Sequence, residues 1–143
     1  MKEGRITTAE DAEERGEDGD QPDYRVCYRL RDESPLGVRP GLLESAYKSC
    51  LAYELRKRGL RVDVEVGLPL VYDGIVMDDV GYRLDLLVEH EVVVELKAVE
   101  IMAPIFEAQL LHYLKLSGKK VGLLINFKVL HLRDGIKRMV NNF

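Results

Sequence analysis

At 143 residues with a formal charge of −4, 46% hydrophobic residues and no tryptophan, the chain suits one domain with a real core. Its apolar runs are only a few residues long, which argues against a membrane span, and no apolar segment follows the basic N-terminal residues, which argues against a secretory signal. Cys27 and Cys50 stand singly and far apart. That is neither a zinc pattern nor a disulfide framework, so a reducing cytoplasm is the expected setting.

The charge is unevenly spread. Residues 1–24 carry three basic and nine acidic side chains, a net −6, which leaves +2 on the rest. This stretch is rich in Gly, Glu and Asp and almost without large apolar residues, so residues 1–24 are expected to form a disordered acidic tail. Residues 25–143 are expected to form a single domain, with its clear pattern starting near residue 40. A body so close to neutral lacks the basic signature of a dedicated nucleic-acid binder.

Residues 25–40, "RVCYRLRDESPLGVRP", hold several breakers and little periodicity, and no element is assigned there. In "GLLESAYKSCLAYELRKRG", Leu43, Ala46, Tyr47, Cys50, Leu51 and Leu55 follow amphipathic helical spacing. Pro40-Gly41 precede this predicted helix and Gly59 ends it. "RVDVEVGLPLVYDG" alternates and then turns at Asp73-Gly74, the pattern of a strand or hairpin. Residues 82–88 and 92–98 read as two strands. "APIFEAQLLHYLKLSG" reads as a second helix with Pro104 in its first turn and Gly118 as its stop. "KKVGLLINF" reads as a buried strand, and "RDGIKRMV" as a last short helix. This order predicts an α/β fold, a sheet covered by helices.

The two strands of "RLDLLVEHEVVVELKAVE" each have one wholly apolar face and one that carries charge. Leu84, Leu86 and Val88 share a face, with Arg83, Asp85 and Leu87 on the other. Val92, Val94, Leu96 and Ala98 are likewise opposed to Val93, Glu95 and Lys97. If Glu89-His90-Glu91 form a three-residue loop, Val88 pairs with Val92 and Asp85 stands opposite Glu95. Like charges there are destabilising, so a compensating cation is expected, either Lys97 or a divalent metal. Mg²⁺ takes one or two carboxylates and completes its shell with waters and substrate phosphate, and the backbone carbonyl of Leu96 offers a further oxygen. Such a metal would polarise a phosphoryl oxygen and activate water, with Lys97 orienting or deprotonating the attacking water.

Asp85 followed after nine residues by Glu95-Leu96-Lys97 resembles the D…ExK core of the PD-(D/E)XK nuclease superfamily. Gly41-Leu42-Leu43-Glu44-Ser45-Ala46-Tyr47 resembles the signature of its GxxExxY family. The resemblance extends through "GYRLDLLVE", "VVELKAVE", "EAQLLHYLKL" and "GLLINF". It implies a central mixed sheet flanked by helices, metal ligation by Asp85 and Glu95, and a catalytic role for Lys97. Glu44 matches an additional acidic residue placed near the metal, and Gln109 and Tyr113 match the QxxxY helix motif of RecB-like nucleases. Members usually carry an apolar helical segment running into a Gly-Pro-Gly turn, where this chain has "LRDESPLGVRPG".

The implied activity is Mg²⁺- or Mn²⁺-dependent hydrolysis of nucleic-acid phosphodiester bonds, with DNA the expected substrate. A non-catalytic nucleic-acid or protein-interaction module is the first alternative, and an enzyme acting on some other phosphate-bearing substrate is the second. The near-neutral charge favours dependence on a partner, either another protein or a second copy of the chain. Plainer readings stand beside these. Asp85, Glu95 and Lys97 can form a structural ion-pair network, Glu44 can gain from the helix dipole, and Gln109 and Tyr113 can be an ordinary i, i+4 pair. Tyr47 and Tyr53 read as packing residues, Arg56, Lys57 and Arg58 as a solvated helix end, and His90 as an exposed turn residue. His112 and His131 lack partners at ligand spacing, which excludes a histidine metal site.

Overall fold

The computed structural model describes residues 5–8, 44–129 and 132–142, with backbone alone for 5–8, 132 and 133. Expectations for the remainder of the acidic tail, for residues 25–40, Pro40-Gly41, Cys27 and His131 lie outside these residues. In chain order the elements are β1 (Arg5–Thr8), α1 (Glu44–Lys57), β2 (Val62–Tyr72), β3 (Ile75–Val88), β4 (Val92–Lys97), α2 (Pro104–Ser117), β5 (Val121–Asn126), a short 3-10 turn (Leu132–Gly135) and β6 (Ile136–Val140). The strands form a six-stranded mixed sheet in the order β1-β6-β5-β4-β3-β2. Among the described residues only β4 and β5 pair in parallel, and α2 makes the long crossover that such a pair requires. No helix among the described residues is long and apolar enough to cross a membrane.

Two cores lie on opposite faces of the sheet. Tyr47, Leu51, Ala52 and Leu55 of α1 pack on Leu86, Val88, Val94, Leu96 and Ile125. Leu110, Tyr113 and Leu114 of α2 pack on Leu87, Val93, Leu124 and Met139. Burying each such leucine contributes about 1.5–3 kcal/mol, so both helices are held by tertiary contact more than by intrinsic helicity. At Gly122 a Cβ would stand 3.0 Å from Leu110, so the missing side chain lets α2 approach β5 closely. Gly118 ends α2 in the left-handed region (φ 70°) that an L side chain avoids.

Two segments depart from the sequence reading. "RDGIKRMV" is not a helix: it runs from a 3-10 turn into β6, which pairs with β5 along its length. The outer edge of β5 offers a full ladder, and Ile136 and Met139 are buried by taking it. Pairing of this kind overrides a weak local preference. Within the stretch expected to be disordered, Arg5–Thr8 form β1, antiparallel to β6. In addition, β3 starts at Ile75 rather than at residue 82. Together with the end of β2 it forms an arm on which Val71, Tyr72, Ile75, Val76, Met77 and Val80 are all exposed.

Candidate functional site

The site is built where β3 and β4 stop behaving as an ordinary ladder. Their register pairs Val88 with Val92, Leu87 with Val93 and Leu86 with Val94, around the expected loop of Glu89-His90-Glu91. Glu89 and His90 adopt positive φ to make that turn, and His90 is exposed as expected. One step further, Asp85 and Glu95 come side by side. There the carboxylates replace the ladder: Asp85 N–H donates to Glu95 Oε1 (3.0 Å) and Leu96 N–H donates to Asp85 Oδ2 (2.8 Å). Each carboxylate spends one oxygen on the opposite strand and keeps its second oxygen out of that bond.

The row continues into β2. Val64 pairs with Leu86 and Val66 with Leu84, so Glu65 flanks Asp85 from the other side. Glu65 has left-handed backbone (φ 53°), a local break of the kind that re-aims strand side chains. The face assignment changes here. Leu84 and Val66 belong to the α2-side core, whereas Leu86 and Val62 belong to the α1-side core. The expectation that Leu84, Leu86 and Val88 share one face therefore fails at Asp85, because the irregular backbone interrupts the two-residue period.

The cation against Asp85 is Lys48 of α1, with Nζ 3.6 Å from Asp85 Oδ1 and 3.0 Å from Glu65 Oε1. Lys97 does not take that place: its ammonium lies over the Phe106 ring, 4.7 Å from the centroid, a cation–π arrangement. Glu95 is 5% exposed. Burial, and next the charge of Asp85, push its carboxyl up to about 8. At neutral pH without a cation, the favoured state of this residue is therefore the protonated one. For Lys48, burial opposes the charge, but the hydrogen bond to Glu65 and the charge of Asp85 outweigh it and raise the ammonium's pKa.

The remaining candidates surround this row. Glu44, at the start of α1, accepts a long hydrogen bond (3.4 Å) from the Ala98 N–H, just past Lys97. Leu96 gives its N–H to Asp85 while its side chain enters the α1-side core. Gln109 Nε2 donates to the Tyr113 hydroxyl at 2.8 Å. Burial raises the Tyr113 pKa, Gln109 opposes the rise, and the charges of Glu95 and Asp85 add to it, so this pair lies within electrostatic range of the carboxylates. Tyr47 is a packing residue, stacked on Phe127 at 4.3 Å. Tyr53 is not: it is 63% exposed, because it lies on the α1 face turned away from the sheet.

Three contributors were missed from sequence. Lys48 lies one helical turn after Glu44, a spacing that could have flagged it. Glu65 is masked by its place in an alternating strand. Asn126, buried at the end of β5, accepts from the N–H groups of Val99 and Lys128 and donates to the Val99 carbonyl (2.9–3.1 Å). It thereby fixes the chain immediately after Lys97.

The donor set fits a hard divalent cation that brings most of its own shell. Among the described residues no group of three or more His, Cys, Asp or Glu side chains could hold a metal ion. The adjacent pair Asp85 and Glu95, one of them buried and held above its ordinary pKa, provides the one or two carboxylates that Mg²⁺ typically uses. A model of the PD-(D/E)XK nuclease superfamily matches residues 34–139. No curated protein and no solved structure matches the chain.

Proposed function

Because the chain belongs to the PD-(D/E)XK nuclease superfamily, we propose that it is a divalent-metal-dependent nuclease of the GxxExxY family, acting on DNA in the cytoplasm. Nucleases of this superfamily generally use divalent metal ions, and Mg²⁺ or Mn²⁺ is the proposed ion here. The observation that carries this reading is the cross-strand pair of Asp85 and Glu95, two carboxylates side by side with Glu95 buried. A structural sheet position gains nothing from ionising both carboxylates, whereas a bound cation stabilises the doubly ionised pair.

Asp85, Glu95 and the Leu96 carbonyl are the proposed ligands, with Glu44 beside them. When bound, the metal supplies Lewis acidity toward the phosphate and a more acidic water. Lys97 orients the attacking water or takes its proton, and the Phe106 ring beneath its ammonium holds it at the end of β4. Gln109 and Tyr113 position the substrate phosphate through the Tyr113 hydroxyl.

Purified protein incubated with labelled DNA and RNA, with Mn²⁺ or with chelator, tests the proposal directly. Metal-dependent cleavage of DNA is expected, abolished in Glu95→Gln. In Lys97→Ala, cleavage is expected to slow while Mn²⁺ and substrate binding stay largely intact. A fully active Lys97→Ala protein removes that residue from the chemistry.

A second reading has its own observation. The β2–β3 arm exposes Tyr72 (73%), Ile75 (62%) and Met77 (60%), and residues 71–80 hold three carboxylates (Asp73, Asp78 and Asp79) and no basic side chain. Such a surface repels a phosphate backbone and suits a protein partner. On this reading the chain is an interaction module that retains the nuclease fold, and the cleavage assay separates the two.

A further inference from the structure

Glu65, Asp85 and Glu95 stand in one row across β2, β3 and β4, and with Glu95 held toward its neutral form, Glu65 and Asp85 are the charges that need a counter-ion when no metal is present. The side chain that does so comes from outside the sheet. Lys48 is 17% exposed and its ammonium bridges Glu65 (3.0 Å) and Asp85 (3.6 Å). Its two contacts are unequal. Glu65, 55% exposed, holds it by a true hydrogen bond, while Asp85 is reached only at ion-pair distance.

We propose that Lys48 is a resident counter-cation of the metal-free site: it neutralises Asp85 until a divalent ion arrives, then stays on Glu65, and so sets the affinity of the site for metal. This rests on the metal-binding reading above and adds a residue outside the ligand set. Asp85 Oδ1, the oxygen not used in the cross-strand bond, is the atom that faces the Lys48 ammonium. Two cations cannot share that oxygen without mutual repulsion, so Lys48 and the metal compete. Because Glu65 lies beside Asp85, the ammonium can give up one partner while keeping the other, and no charge is stranded. Lys48 is thus a positioning residue, acting through Asp85 rather than on substrate.

Mn²⁺ calorimetry and denaturant unfolding in chelator test this on the full chain. Lys48→Met is expected to bind Mn²⁺ about fivefold tighter, the upper end of what a partly exposed ion pair is worth, and to be less stable in chelator. Lys48→Arg keeps the charge and is expected to follow wild type in both. Lys120→Met, which removes an exposed cation at the other end of β5, is expected to leave Mn²⁺ affinity unchanged. Unaltered affinity in Lys48→Met, or equal tightening in Lys120→Met, overturns the proposal and leaves the metal-site reading standing. Absence of Mn²⁺ binding in every protein, wild type included, removes both.

Discussion

Asp85 and Glu95 each accept a backbone N–H from the other's strand, at 2.8 and 3.0 Å respectively, so the two carboxylates replace the ladder at the point where they would otherwise only repel. The arrangement ties two opposed requirements together. The hydrogen bonds hold the strands, and ionising both carboxylates at once demands a cation.

The first consequence concerns protons. Glu95 is raised from 4.5 to about 8 by burial and by Asp85. A carboxyl raised on folding contributes stability that is fully present below about 4.5 and is lost as pH rises through about 8. In chelator, stability from this group should therefore fall across that window, and Glu95→Gln should flatten the profile. Mn²⁺ binds the carboxylate form, so binding near neutral pH should release a proton, and the release should diminish above about 8. Calorimetry in buffers of different ionisation enthalpy reads this number, and a value of zero at neutral pH contradicts the assignment.

Asp85 separates hydrogen bonding from charge. Asp85→Asn keeps an acceptor for the Leu96 N–H but gives up the Lys48 ion pair, so in chelator it should lose no more than the ~1 kcal/mol of a partly exposed pair, with Mn²⁺ binding lost. Asp85→Ala removes the acceptor as well and should cost roughly 1–3 kcal/mol, the penalty of an unpaired buried N–H. Denaturant unfolding of the two variants gives the comparison. A loss in Asp85→Asn as large as that in Asp85→Ala points instead to a structural network.

Asn126 should prove to be a structural clamp with a functional readout. It is 2% exposed and makes its hydrogen bonds to Val99 and Lys128. Asn126→Ala strands buried backbone groups and should cost roughly 1–3 kcal/mol for each one left without a partner. Asn126→Asp should be destabilising too, because it sets an oxygen against the Val99 carbonyl. Thermal unfolding measures both, and a wild-type melt for either variant would falsify the clamp.

The N-terminal charge gives a salt-dependent test. Deleting residues 1–24 would remove β1 along with the charge, so the cleaner change replaces the eight carboxylates from Glu10 to Asp23 by their amides. Phosphate contacts dominate nucleic-acid affinity. DNA binding should tighten at low salt and the gain should shrink as salt screens it. Identical titrations at low salt show that this segment does not compete with DNA.

The sequence alone determined the elements whose periodicity is strong and whose ends are marked: α1 through its Tyr47, Leu51, Leu55 spacing, α2 between Pro104 and Gly118, and β4 and β5 as apolar runs. It placed Asp85 opposite Glu95 only on the condition of a three-residue loop, and the register of β3 on β4 supplied that condition. Only the tertiary structure decided which cation answers those charges. Lys48 reaches Asp85 from α1, 37 residues away in the chain, and its spacing from Glu44 marks a helix face but not the strand on which that face packs. The same holds for β6, a strand because β5 has an edge to pair, and for the reversal of faces at Glu65 and Asp85. Alternation is a property of regular backbone, and this backbone is irregular where the carboxylates meet.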